Sequence, residues 1–287
     1  MIANRLLLSA LVPLALLSPA AAGIVFGPVK GKPGQSIKLV THSETPGGTV
    51  QQSVAGRNTS GTLSITRDRE LVWTFREPGA DGTLRGMVRV PEIQTLTAVK
   101  IDGKEEKSTD VSPLTGKMFG MSKAPRGEWK FELDGSVPLS RVRQEIEELT
   151  VYLKRDWYPK REVNLGDSWE FDPTWVKHII EKDLHRAQSI GTMRLRQIRR
   201  GLMGQFAVID VSIRSTGADY RADGSEVSAS VELIGEVIVN LDTMLDEKLE
   251  LKGKVVSTSR GRGDSKTVTL PVKLSAKKSF VRDSAFP

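Results

Sequence analysis

The residues that could do chemistry are few and scattered. His178, Glu181 and His185 fall at i, i+3 and i+7, which places them on one face of a helix, and imidazole with carboxylate is a zinc ligand set. The same spacing also suits a solvated face opposite Val176, Ile180 and Leu184. A zinc site needs a further ligand and a supporting shell. Asp167, Glu170 and Asp172 gather around Trp169 and Trp175, and two carboxylates flanking a bond could hydrolyse a glycoside. Each also has an ordinary role, as a turn aspartate, an outward strand residue and a helix N-cap. With His42, His178 and His185 the only histidines, a Ser-His-Asp triad stays open, although no Gly-x-Ser-x-Gly elbow supports one. The glycines at 31–34 lack the Gly-Lys-Ser/Thr ending of a phosphate cradle. We therefore expect no metal, no cofactor and no catalytic residue.

Three short patterns have bland readings beside sharper ones. Arg262-Gly263-Asp264 is the tripeptide that integrins read, but its setting is that of a hairpin turn. Asn58-Thr59-Ser60 is a glycosylation sequon, meaningful only in a eukaryotic secretory path. Arg194, Arg196, Arg199 and Arg200 could meet an anion or form the wet face of a strand.

The elements that must position these residues are mostly strands. Short apolar runs at 37–41, 49–54, 62–66, 71–75, 83–90 and 94–101 are punctuated by Pro46-Gly47-Gly48, 58–61, 78–82 and Asp102-Gly103, the pattern of an antiparallel meander. Residues 104–127 are polar with little periodicity and read as an exposed connection, and 128–133 as a strand. From 191 onward longer alternating runs appear at 191–199, 206–215, 226–241, 249–255 and 266–280, each with one buried and one wet face. Pro271 points to an edge position or a bulge in the last.

Between the strand-rich stretches, Val142, Ile146, Leu149 and Leu153 form an apolar helical stripe. Ser140 is placed to cap this helix and Pro159 to stop it. Asp172-Pro173 opens a second helix over 173–188. The expected fold is α+β and β-dominated: two antiparallel strand-rich halves, half-barrel or sandwich-like, with a central amphipathic helix and a second short helix. The divisions are 1–22, 23–35 as a leader, 36–137, 138–176 and 177–287.

The N-terminus places Arg5 before an apolar run at 6–17 and small residues at Ala20-Ala21-Ala22, the order of a secretory signal cleaved near Ala22. The mature chain is expected to be periplasmic or extracellular, without a transmembrane segment. No cysteine offers a disulfide or a lipid anchor. The 42 basic against 35 acidic residues leave an excess of positive charge. Export argues against nucleic acid and for an envelope lipid or anionic polymer as partner.

Pro159, Val163, Gly166-Asp167 and Trp169 form a Pro-x-x-x-Val-x-x-Gly-Asp-x-Trp signature, preceded by Ser112-Pro-Leu-Thr-Gly116 and Gly127-Glu-Trp-Lys-Phe131 and followed by Gly191-Thr-Met-Arg-Leu195 and a run from Gly235 to Asp242. In this the chain resembles a family of uncharacterised, exported, β-rich bacterial proteins, over roughly 36–260. It looks more loosely like periplasmic half-barrels that carry lipoproteins or lipids. The resemblance implies Gly166, Asp167 and Trp169 as a structural motif and carries over no catalytic residue. A non-catalytic binding or structural protein of the cell envelope is the expectation. A carrier of a lipid or other apolar ligand, with Val142, Ile146, Leu149 and Leu153 as its lid, is the alternative. A carboxylate-dependent hydrolase is the third reading.

Overall fold

The computed structural model describes residues 23–132, 142, 145–146, 155–173, 188–202, 204–221 and 223–282. Thirteen strands follow in chain order: β1 (Ser36–Glu44), β2 (Gly48–Val54), β3 (Arg57–Arg76), β4 (Leu84–Ile101), β5 (Lys104–Val111), β6 (Met118–Lys123), β7 (Trp129–Glu132), β8 (Ser168–Phe171), β9 (Gln188–Gly201), β10 (Gly204–Tyr220), β11 (Glu226–Asn240), β12 (Leu245–Arg260) and β13 (Ser265–Val281). All pair antiparallel in a single sheet of order β7-β6-β4-β3-β1-β13-β12-β11-β10-β9-β8. β2 continues the line of β1 between β3 and β13, and β5 lies beside β4 in line with β6.

This corrects the α+β expectation. The described residues are nearly all β, without a central amphipathic helix. The two strand-rich stretches are not separate halves, because β1 pairs along its length with the second half of β13, Ser36 opposite Val281 and Glu44 opposite Lys273. That pairing joins the first and last described strands at the middle of the sheet, a long-range contact that no local pattern encodes. Most of the helix expected at 140–157 lies outside the described residues: of those described, Val142, Glu145 and Ile146 have helical backbone, whereas the last three positions form no helix, Arg155 standing at φ 53, in the left-handed region. The second expected helix lies outside the described residues at 174–187.

Several strand expectations also change. The runs at 62–66 and 71–75 belong to one strand, β3, and those at 83–90 and 94–101 to another, β4. The connection expected at 104–127 holds β5 and β6. β5 is exposed at every position, so it carries no alternation to read. β13 is central rather than an edge strand. Its Pro271 sits where the neighbour changes from β2, whose pairing ends at Thr269, to β1, whose pairing starts at Lys273. A residue without an N–H falls at a gap in the ladder.

One face of the sheet is apolar. Leu195, Ile209, Leu233 and Leu251 belong to one buried cluster, and Ile37, Leu39, Leu71 and Phe119 to a second. The backbones of β11 and β12 approach closely at two glycines. Gly235 pairs with Leu251 and Gly253 with Leu233. A Cβ on Gly235 would overlap the carbonyl oxygen of Glu250, and one on Gly253 that of Glu232. Only glycine lets the neighbouring backbone come so close on that side. The opposite face carries cross-strand ion pairs such as Arg196 with Asp210 and Glu236.

Candidate functional site

Two segments cover the apolar face. The N-terminal one, 23–35, is tied down by reciprocal backbone bonds between Ile24 and Val163, each 2.8 Å, and by Lys30 N–H to the Thr243 carbonyl at 2.8 Å. The second is a strap at 155–167 that leads into β8. Phe26 of the first stacks on Tyr158 of the second, centroids 4.6 Å apart.

The Gly-Asp-Ser-Trp motif docks the strap. Gly166, at φ 91, donates its N–H to the Leu195 carbonyl at 2.8 Å, and Leu195 returns a bond to the Asp167 carbonyl at 3.0 Å. The Asp167 carboxylate accepts the Asn164 N–H at 2.9 Å, closing the turn. Trp169 is buried, and its Nε1 donates to the Trp157 carbonyl at 2.8 Å.

The strap is also held by a buried ionic cluster. Arg155 Nη2 donates to Asp246 Oδ1 at 2.9 Å, and Arg155 Nη1 to the Gly27 carbonyl at 2.8 Å. The Tyr158 hydroxyl donates to Asp246 Oδ1 at 2.7 Å, and Lys278 Nζ lies 3.3 Å from Asp246 Oδ2. The guanidinium of Arg155 also lies over the Tyr158 ring at 4.7 Å. Burial alone would push the Asp246 carboxyl up, but Lys278, Arg155 and the Tyr158 hydroxyl outweigh it and hold the carboxyl below its ordinary range. Burial pushes the Lys278 ammonium down, with Asp246 opposing and Arg155 assisting. Burial and then Asp246 push the Tyr158 phenol well up.

Beside this cluster lies a cavity of about 60 Å³ between strap and sheet. Trp157, Phe171, Val237, Leu251 and Leu274 are among its walls, and Asp246 and Lys278 are the charged groups that line it among the described residues. Such a space is large enough for a few waters, each needing about 10–15 Å³ on this measure, but its walls are mostly apolar.

The sequence-level candidates fall elsewhere. Val142 and Ile146 pack against the second buried cluster, whereas Leu149 and Leu153 lie outside the described residues. His178, Glu181 and His185 also lie outside them. Asp167 is spent in its own turn, Glu170 is exposed on β8, and neither Asp172 nor these two lines the cavity. On the polar face, Asp68, His42 and Ser275 stand in one cross-strand row, with His42 Nδ1 2.7 Å from Asp68 Oδ1. These are the residue types of a triad. However, Ser275 lies mid-strand between two paired neighbours, so its flanking amides serve the ladder and supply no oxyanion donors. Asp264 of the Arg-Gly-Asp turn accepts the Ala55 N–H at 3.2 Å from the neighbouring hairpin.

Sequence reading missed Arg155, Asp246 and Lys278. One signal was present: in the alternation Val272, Leu274, Ala276, Lys278, Phe280, a lysine holds an inward position.

No family model matches the chain, and no curated protein matches it. Among solved structures, it is similar to OccK7 (OpdD) of Pseudomonas aeruginosa, at 5% identity and TM-score 0.31, over 86% of this chain and 100% of that one. It is also similar to kievitone hydratase from Nectria haematococca, at 9% identity and TM-score 0.13, over 89% of this chain and 94% of that one. Likenesses at these scores carry no argument about what this chain does. Among the described residues, no helix is long and apolar enough to cross a membrane.

Proposed function

We propose that this is a non-catalytic binding protein of the exported compartment, and that it holds an apolar or amphiphilic small molecule between the strap and the sheet. The observation that carries this reading is the cavity between Trp157 and Leu251, apolar on most sides and roofed by the strap. A concave apolar space with a few convergent polar groups is the usual form of a small-molecule site. At about 60 Å³ the cavity takes the end of a chain rather than a whole lipid. A longer ligand enters as the strap lifts. The signal-like N-terminus supports export.

Titration with decan-1-ol, followed by tryptophan fluorescence, tests the reading, because Trp157 lines the cavity. Saturable binding that Ala276→Leu abolishes is expected, since Ala276 is a wall residue and the larger side chain fills the space. A signal that never saturates, or that Ala276→Leu leaves unchanged, overturns it. Extraction of protein purified from its native host, followed by mass spectrometry, then identifies the natural occupant.

A further inference from the structure

We propose that the cavity reads the straight end of an alkyl chain, about two or three carbons of it, and that the head of the ligand stays outside and is not read. This rests on the binding reading above and adds to it which part of the ligand is recognised. Size sets the end. On the measure by which a cavity of roughly 150 Å³ accommodates benzene, each carbon takes about 25 Å³. The cavity here, at about 60 Å³, holds a short run of carbons and leaves out a six-carbon ring. Phe171, Val237, Leu251 and Leu274 surround that run with apolar surface. Each methylene they bury strengthens binding about fourfold.

The charged wall does not take a head group. Asp246 Oδ1 accepts from both Arg155 and Tyr158, and its Oδ2 faces Lys278. Lys278 is engaged by a further interaction besides Asp246. An acid or amine head brought to this wall would shed its water and compete with partners already in place. Burying a charge without a partner of its own is costly. The head therefore stays in water, and hydrocarbon alone enters. The source of the chain follows from the same geometry. In a bilayer the chain ends lie beneath about 15 Å of hydrocarbon, half the thickness of the apolar core. A site that reads the end meets a free amphiphile, not a lipid in its membrane.

The test varies the end and the head separately. Decan-1-ol and 4-cyclohexylbutan-1-ol share a head and a carbon count but differ in the end, and decanoate and decylamine keep the straight end with charged heads. Each is titrated into the full chain near pH 7, below the concentration at which it forms micelles, with about 0.15 M salt to screen the positive charge of the chain. Decanol is expected to bind at least about tenfold more tightly than the ring-ended alcohol, because the ring leaves two or three carbons unburied at about fourfold each. Decanoate and decylamine should fall within about threefold of decanol. Leu274→Ala widens the cavity and should bring the ring-ended alcohol to within about threefold of decanol. Phosphatidylcholine vesicles sedimented with the protein should leave it in solution. Equal binding of ring and straight ends, a tenfold preference for either charged head, discrimination that survives Leu274→Ala, or co-sedimentation with the vesicles would overturn this inference and leave the binding reading intact. Failure of all four molecules to bind would overturn the binding reading itself. Should Leu274→Ala fail to fold, the order of the four ligands on the unaltered protein decides alone.

Discussion

Arg155 reaches across the fold to Asp246, 91 positions away in the chain, and donates Nη2 to Oδ1 at 2.9 Å with both side chains buried. This pair fastens the strap to β12. Breaking a buried ion pair from one side leaves an uncompensated charge and typically destabilises by about 3–5 kcal/mol. Asp246→Asn removes the carboxylate that Arg155, Lys278 and Tyr158 all address. A loss in that range is expected, read as a lower melting temperature or denaturant midpoint. A variant as stable as the parent would show that the cluster is not held as described.

The same cluster sets an acid limb. The folded carboxyl of Asp246 lies below its ordinary value of 3.8. Its contribution is therefore fully present above about pH 4 and is lost as the pH falls through the folded value. Stability measured between pH 6 and pH 2 should fall at the acid end, and Asp246→Asn should flatten that fall. Lys278 gives a slope of the same sign at high pH. Its folded value is lowered from 10.5, so the unfolded chain binds the proton more readily there. The Lys278 contribution rises with pH up to the ordinary lysine range, and Lys278→Met should remove that rise.

Gly235 and Gly253 make a third test. Each stands where a Cβ would run into backbone of the neighbouring strand, which cannot rotate away as a side chain can. Overpacking of this kind typically costs about 1–3 kcal/mol, occasionally more. Gly235→Ala and Gly253→Ala should each destabilise near the upper end of that range. Gly56→Ala, at a turn with open space around it, acts through its φ of 79 alone and should do less. Equal effects at all three positions would remove the argument that the two strands approach too closely there for a side chain.

How far the sequence reveals this fold depends on whether a feature is local. Alternation marked β11, because Val231, Leu233 and Val237 face one way along the chain. The pairing of β1 with β13 left no such mark, since Ser36 and Val281 gain their relation only when the sheet assembles. β5 was invisible for another reason: an edge strand such as Lys104–Val111, wet on both faces, has no period to find. The site was harder still. Asp246 looks like a turn residue beside Asp242 and Thr243, and Arg155 like the polar side of a helix. Only Lys278, out of phase in an apolar alternation, betrayed a buried charge. The Gly166-Asp167-Trp169 motif reads locally as a turn before a strand, and the structure uses it as one. What it turns, a strap over a cavity, is tertiary information.

Trp169 joins that motif to the strap, and two substitutions separate its roles. Its ring is buried against Phe26, with centroids 6.0 Å apart, while its Nε1 donates to the Trp157 carbonyl. Trp169→Ala removes the packing and the bond together, and a loss of about 3–5 kcal/mol is expected for truncating a buried tryptophan. Trp169→Phe keeps most of the apolar contact and loses the donor. The Trp157 carbonyl then goes without this partner, which costs about 1–3 kcal/mol. That loss falls on the strap more than on the sheet. Hydrogen exchange of Trp169→Phe should therefore show faster exchange at Tyr158, Val163 and Gly166, whose amides bond to Arg155, Ile24 and Leu195. The amides of β10 and β11 should keep their protection relative to the parent. Uniform acceleration across strap and sheet would mean that they open as one unit. In that case a ligand would have to wait for the whole sheet to unfold, and the strap could not serve as the way in.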